Sequence, residues 1–518
     1  MKKNWKTLVA LVLTVILSCS SALACTSIYV GANLTSDGAT YFARSEDYSN
    51  SQNKLFYVSP AGKHVAGELY NGCYGFSYTF THDSYSYTAF SDDNQAGVEY
   101  ECPDCGQTHA HTPYEAGGAN EMGVMMSATE TIGGCKEVSS VDPIEDLGIE
   151  EAEIVTVVLS EAATAYEGVQ ILLGIYDNAG CCGGSGLFIA DANEIWYIEN
   201  VTGHAYIAVK LSKDMVFVEP NMVIIGKIDL DDTENVIASE NLIAVAQAAG
   251  TFVGDADANV IDYLASYNPG QTANARIKDA LMYLNSAYDF TETSPDAELY
   301  AISNVDAEGN IVPMHTGIVL EGAFDTKDAI NFYKIESIGY ERNLETHIFQ
   351  YYPGTEKTDI IEWVAMNDAS MNVFVPYYPL LTTDVAPSYK VSTLTADFSA
   401  EQPENGIYYA STQRMWTENG PVSVEGFCVL PENWADSYYW SVDAVTNLMT
   451  FGSLSEDKVQ MVNEALAAKQ QEVYDAFEAM KADVAAAENP AEAATNASMA
   501  MANGVYEMFV NLAGEITK

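Results

Sequence analysis

The chain has 518 residues, 48% of them apolar, and a formal net charge of −51 from 22 basic and 73 acidic residues. So acidic a chain excludes nucleic acid as a partner, because phosphate binding needs basic side chains, and it opposes anionic membranes. The length allows a large core and on the order of two to four domain-sized units.

Residues 1–24 read as a secretory leader: Lys2, Lys3 and Lys6, an apolar run from Leu8 to Leu17, and Ala22-Leu23-Ala24 as a small-residue cleavage site. The run is too short to span a bilayer, and no second long apolar stretch predicts a transmembrane segment. The expected product is secreted or held at the cell envelope after a signal peptidase cuts behind Ala24. That cut leaves Cys25 with a thiol and a free α-amine. A thiol is a poor nucleophile until deprotonated, and an α-amine with a reference pKa of roughly 7.7–8.0 is a base poised near neutrality. The leader alone leaves three readings open: a nucleophile, a lipid-modified cysteine, or a coincidence. A lipobox wants leucine where Ala22 stands, and Cys19 after Ile16-Leu17-Ser18 is its marginal alternative.

Thr26 to Val30 reads as a strand, Asp37-Gly38 as a hairpin turn, and Ala39 to Arg44 as the returning strand. This hairpin carries Arg44 and Asp47 back toward Cys25. An arginine there favours the thiolate and orients a carbonyl or carboxylate; Asp47 would bond the α-amine or a polar part of the substrate. Residues 48–115 read as strands joined by long loops. Within them, Cys102-Pro103-Asp104-Cys105 with His109 and His111 has the spacing of a structural zinc site, with a local disulfide or free thiols as rivals.

Gly118 to Thr131 reads as a turn into a buried strand, and Ile149 to Tyr176 as one long helix with an apolar face. Cys181-Cys182, beside glycines, reads as a packed pair or a vicinal disulfide. Strands follow at Leu187–Ala190, Glu194–Glu199, Ala205–Leu211 and Met215–Val218, with helices over 236–249 and 273–286. More strands are expected between about 340 and 453. Residues 456–518 form Ala- and Glu-rich helices broken at Asn489-Pro490. Eight cysteines remain after cleavage, too sparse for a disulfide-stapled scaffold.

Cys25-Thr26-Ser27-Ile28, the Asp37-Gly38 turn and Ala43-Arg44-Ser45-Glu46-Asp47 together resemble the mature start of cysteine dipeptidases in the N-terminal-nucleophile hydrolase superfamily. These are relatives of choloylglycine hydrolases and penicillin V acylases. The similarity continues through Gly118–Val124, Ser127–Thr131, Gly148–Gly168 and Glu194–His204, with weaker echoes at Glu345-Thr346-His347 and Val373–Pro376. The resemblance implies an α+β fold, a four-layer αββα sandwich, over residues 25–390. Residues 391–518 would then be a C-terminal extension of strands and helices packed on the core. It also implies amide hydrolysis through an acyl-enzyme on Cys25, with small peptides as substrates and no cofactor needed for catalysis.

Asn221 is the expected oxyanion donor; a second oxyanion asparagine has no clear counterpart. Glu130 falls near that strand and is given a substrate-binding role, with a dipeptide's α-ammonium as one candidate partner. Asn120 and His204 are further substrate candidates, with turn-forming and buried structural roles as their alternatives. The leading function is a secreted dipeptidase. Its rivals are a related amidase acting on bile-salt conjugates or penicillin V, and a non-enzymatic surface lipoprotein or binding module.

Overall fold

The computed structural model describes residues 25–48, 53–72, 75–92, 99–101, 108–110, 113–392, 394, 396–417, 420–452 and 454–517. The leader and three zinc candidates, Cys102, Cys105 and His111, lie outside these residues; of His109 only the backbone is described.

Two antiparallel sheets organise the chain. Their strands, in chain order, are β1 (Thr26–Val30), β2 (Thr40–Asp47), β3 (Lys54–Ser59), β4 (Tyr87–Asp92), β5 (Tyr114–Ala119), β6 (Met125–Thr131), β7 (Ser185–Ala190), β8 (Ile195–Asn200), β9 (Tyr206–Lys210), β10 (Val216–Glu219), β11 (Val236–Ala238), β12 (Asn343–Tyr351), β13 (Ile360–Met366) and β14 (Val375–Tyr377). One sheet runs β10-β1-β2-β12-β13-β14; the other runs β11-β9-β8-β7-β6-β5-β4-β3.

Side chains alternate across a strand, and the eight-stranded sheet uses both faces. Phe188, Ala190 and Tyr197 join a core shared with the six-stranded sheet. Leu187, Ile189, Trp196 and Ile198 join a second core under two helices, α1 (Glu151–Glu161) and α2 (Ala165–Asn178). Aromatic rings lock the two sheets together. Phe42 of β2 stacks on Phe349 of β12 at 4.9 Å and meets Phe188 of β7 at 5.4 Å, and Phe56 of β3 meets Tyr377 of β14 edge-on at 5.1 Å.

Two sequence expectations need correction. The single helix expected over 149–176 is two. Thr164 accepts a hydrogen bond from the Glu167 N–H and so caps α2, while Asn120 donates to the Leu159 and Ala162 carbonyls at the end of α1. The segment expected as a helix over 236–249 begins as strand β11 and becomes helical only over Leu242–Ala249. The strand at Met215–Val218 exists, shifted by one residue, but joins the six-stranded sheet: Ser27 faces Glu219 and Val30 faces Val216. Gly31 permits this, because a β-carbon there would lie 2.3 Å from the Lys213 carbonyl oxygen.

The helices α3 (Ala275–Leu284), α4 (Tyr438–Phe451), α5 (Glu456–Ala486) and α6 (Pro490–Ile516) follow. The C-terminal three share the main core through Trp440, Phe477 and Phe509. Gln470 of α5 accepts from the Phe374 N–H and donates to its carbonyl, satisfying that backbone as a neighbouring strand would. Among the described residues, no helix is long and apolar enough to cross a membrane.

Candidate active site

Cys25 stands at the head of β1, 7% exposed. The antiparallel register sets Thr26 opposite Ser45 and Ser27 opposite Arg44, so the hairpin returns Arg44 to the cysteine. Arg44 is buried, and its NH2 donates to Cys25 Sγ at 3.2 Å and to Glu151 Oε1 at 3.2 Å. A guanidinium beside a sulfur favours the thiolate over the thiol.

Glu151 is the first residue of α1, and its place is fixed from both directions. Glu150 accepts the Ala152 N–H while Glu153 accepts the Glu150 N–H, a reciprocal capping box. Just before it, Ile149 forms an isolated parallel β-bridge with Cys181. Among the described residues, Cys181 and Cys182 form no disulfide. Burial pushes the Cys181 thiol up to about 12, so Cys181 packs rather than reacts.

Behind Arg44, Lys54 is enclosed between Glu46 and Asp92, its ammonium 2.8 Å from Asp92 Oδ1. Burial alone would raise the Glu46 carboxyl, but Lys54 and Arg44 hold it below the usual range. Asp92 is pushed up to about 6 by burial, with Lys54 opposing. His347 faces Arg44 in the β2–β12 register. It shares a hydrogen bond with Ser127 Oγ at 2.8 Å and another with Glu345 Oε2 at 2.9 Å. All three are fully enclosed between the sheets, so this serine–histidine–acid chain is a scaffold, closed to substrate.

A second guanidinium reaches Cys25 from the other side. Arg276 of α3 donates to the Cys25 carbonyl, to Thr26 Oγ1 at 2.9 Å, to the Pro220 carbonyl at 2.8 Å and to Asn221 Oδ1 at 3.0 Å. Asn221 has a left-handed backbone, φ 56°, which asparagine tolerates better than most residues. Its Nδ2 donates to the Thr131 carbonyl at 3.1 Å. Asn274 completes the unit: Oδ1 caps α3 at the Ile277 N–H, and Nδ2 donates to the Pro220 carbonyl. Buried Glu219 and Glu199 hold the next turn through the Met222, Ile224 and Ile225 N–H groups. Burial pushes Glu199 up to about 8.

Asp47 is buried at the end of β2, where Oδ1 accepts from Asn343 Nδ2. Burial pushes its carboxyl up to about 7 despite the opposing charge of Arg276. The structure therefore brings Cys25, Arg44 and Asn221 together through two arginines, with Asp47 beside the second. Glu130 follows an irregularity in β6, its backbone opposite Gly186, next to the residue that holds Asn221; its side chain lies outside the described residues.

The two remaining substrate candidates, Asn120 and His204, are each held in a local hydrogen-bond network. Asn120 is buried, donating to the end of α1 and accepting from the Met122 and Val124 N–H groups of its own turn. His204 lies against Asp142, whose carboxylate gathers the His204 and Ala205 N–H groups and the Thr202 hydroxyl. Among the described residues, no group of three or more His, Cys, Asp or Glu side chains could hold a metal ion.

The model of peptidase family C69 matches residues 24–297, from the residue before Cys25 to beyond Arg276. The chain belongs to peptidase family C69. Its family relatives include a "Probable dipeptidase B" of Streptococcus pyogenes serotype M1, 34% identical over 252 residues, 48% of this chain and 47% of the relative. The chain thus spans about half the length of the S. pyogenes relatives it matches. A "Probable dipeptidase" of Salmonella dublin is 28% identical over 403 residues, 74% of this chain and 89% of the relative. Among solved structures, penicillin V acylase from Agrobacterium tumefaciens aligns at 12% identity and TM-score 0.29, over 68% of this chain and 85% of its own.

Against this family frame, sequence reasoning missed Arg276 and Glu151. A signal existed for each. The sequence has only four arginines, and two of them meet at Cys25. Glu150 and Glu153 carry the i, i+3 spacing of a capping box, which marks residue 151 as a helix start.

Proposed function

We propose that this C69 chain is a secreted dipeptidase that hydrolyses small peptides through an acyl-enzyme on Cys25. The observation that carries the reading is the convergence of Arg44 on the sulfur and Arg276 on the backbone of the same cysteine, at the position a signal peptidase would make N-terminal. The relatives' dipeptidase names support the substrate class.

In this reading the mature α-amine takes the thiol proton, and the thiolate attacks the peptide carbonyl carbon to form a tetrahedral oxyanion. Asn221 Nδ2 is a donor to that oxyanion, held ready because Arg276 engages its Oδ1. The ammonium then returns the proton to the leaving amine as the C–N bond breaks. Water, deprotonated by the same amine, attacks the thioester and releases the acid. Asp47 keeps the polar ground behind the cysteine, with Arg276. In this reading the two sheets are the central layers of a four-layer αββα sandwich of the N-terminal-nucleophile type. Cys102, Cys105, His109 and His111 remain a candidate structural zinc site with no part in the chemistry.

A panel of dipeptides and acyl-amides tests the reading with the mature chain. We expect hydrolysis of dipeptides and its loss in Cys25→Ala. Undiminished hydrolysis by Cys25→Ala would overturn the mechanism, and a preference for acyl-amides would move the chain to the amidase reading.

A further inference from the structure

We propose that Glu151 binds the free α-ammonium of the substrate, so that the site takes peptides with an unblocked N-terminus; this rests on the dipeptidase reading above. In a dipeptide the attacked carbonyl carbon is bonded to the Cα that carries the ammonium. A thiolate brought to about 3–3.5 Å from that carbon therefore has the ammonium close by. The structure sets a carboxylate there. One nitrogen of Arg44 lies 3.2 Å from Cys25 Sγ and 3.2 Å from Glu151 Oε1, so Glu151 is one guanidinium nitrogen away from the sulfur.

Exposure separates the roles of the three groups. Cys25 is 7% exposed and Arg44 1%, whereas the Glu151 side chain is 18% exposed. The carboxylate is the member of the trio that an incoming cation reaches. Its sign matters too: a substrate ammonium beside Arg44 alone would meet a like charge, and Glu151 turns that encounter into a charge-assisted hydrogen bond. Its position is set by the capping box at the start of α1, independent of any ligand. A substrate with a neutral group at the ammonium position gains nothing from this carboxylate.

Ala-Ala and propanoyl-Ala, which is Ala-Ala with the ammonium replaced by hydrogen, test this directly. Wild type should favour Ala-Ala in kcat/KM, and Glu151→Gln should lower that preference by roughly ten- to a hundredfold, the range for a lost hydrogen bond to a charged group. Glu151→Asp, which keeps the charge but retracts it, should raise KM for Ala-Ala several-fold more than KM for propanoyl-Ala; it serves if the glutamine variant fails to fold. Equal losses on both substrates, or a wild type indifferent between them, would overturn the inference and leave Glu151 acting only through Arg44. Hydrolysis of neither substrate by mature wild type would instead overturn the dipeptidase reading itself.

Discussion

Arg44 and Arg276 divide the work at Cys25, one addressing the sulfur and the other the backbone. Arg44→Met should raise the pH midpoint of Cys25 alkylation by iodoacetamide, because the thiolate loses its adjacent cation. An unchanged midpoint would mean that Arg44 acts on the substrate alone. Asn221→Gly removes the amide while tolerating the left-handed backbone at φ 56°. It should lower kcat by roughly 100- to 1000-fold with little change in KM, and a loss below threefold would assign the oxyanion donors elsewhere. At this scale the sequence was readable where partners are close. Arg44 lies 19 residues from Cys25, across one hairpin. Arg276 lies 251 residues away, and no local pattern announces so distant a partner.

Short capped segments place these residues, and their caps are the fragile points. Asn274 both caps α3 and holds the Pro220 carbonyl, so Asn274→Ala should destabilise the protein by about 1 kcal/mol and also disturb Arg276 and Asn221. Thermal melting and kcat/KM should therefore fall together, whereas a fall in stability alone would separate the cap from the site. The apolar period over 149–176 foretold helix but not the break. The cap at Thr164 is local and readable, but the Asn120 amide that closes α1 comes from a turn about 40 residues earlier. Likewise β10 read correctly as a strand, yet its sheet was decided by pairing with β1 and by the close approach at Gly31.

The whole molecule carries its acidity inside as well as outside. Burial pushes Asp47 and Asp443 up to about 7 and Glu199 and Glu362 up to about 8. Between the ordinary carboxylate range and those values the folded state holds more protons than the unfolded chain, so stability falls as pH rises through that window. The slope is up to about 1.4 kcal/mol per pH unit for each group titrating fully. Glu46, held below its usual range, contributes the opposite sign, and only below the ordinary carboxylate range. The melting temperature should therefore be higher at pH 5 than at pH 8; a rise over that interval would contradict the burial of these acids. The two alternating cores explain why the strands and helices were legible from periodicity. Their partition between two sheets was not, because strand order depends on contacts far apart in the chain.

The central claim is that Cys25 supplies both nucleophile and base, which requires its α-amine to be free. The direct measurement compares kcat/KM on Ala-Ala for the chain beginning at Cys25 with the same chain retaining Ala24. The account predicts hydrolysis by the first and a loss of at least about a hundredfold in the second, the low end of a general-base contribution. Equal activity of the two chains would contradict it.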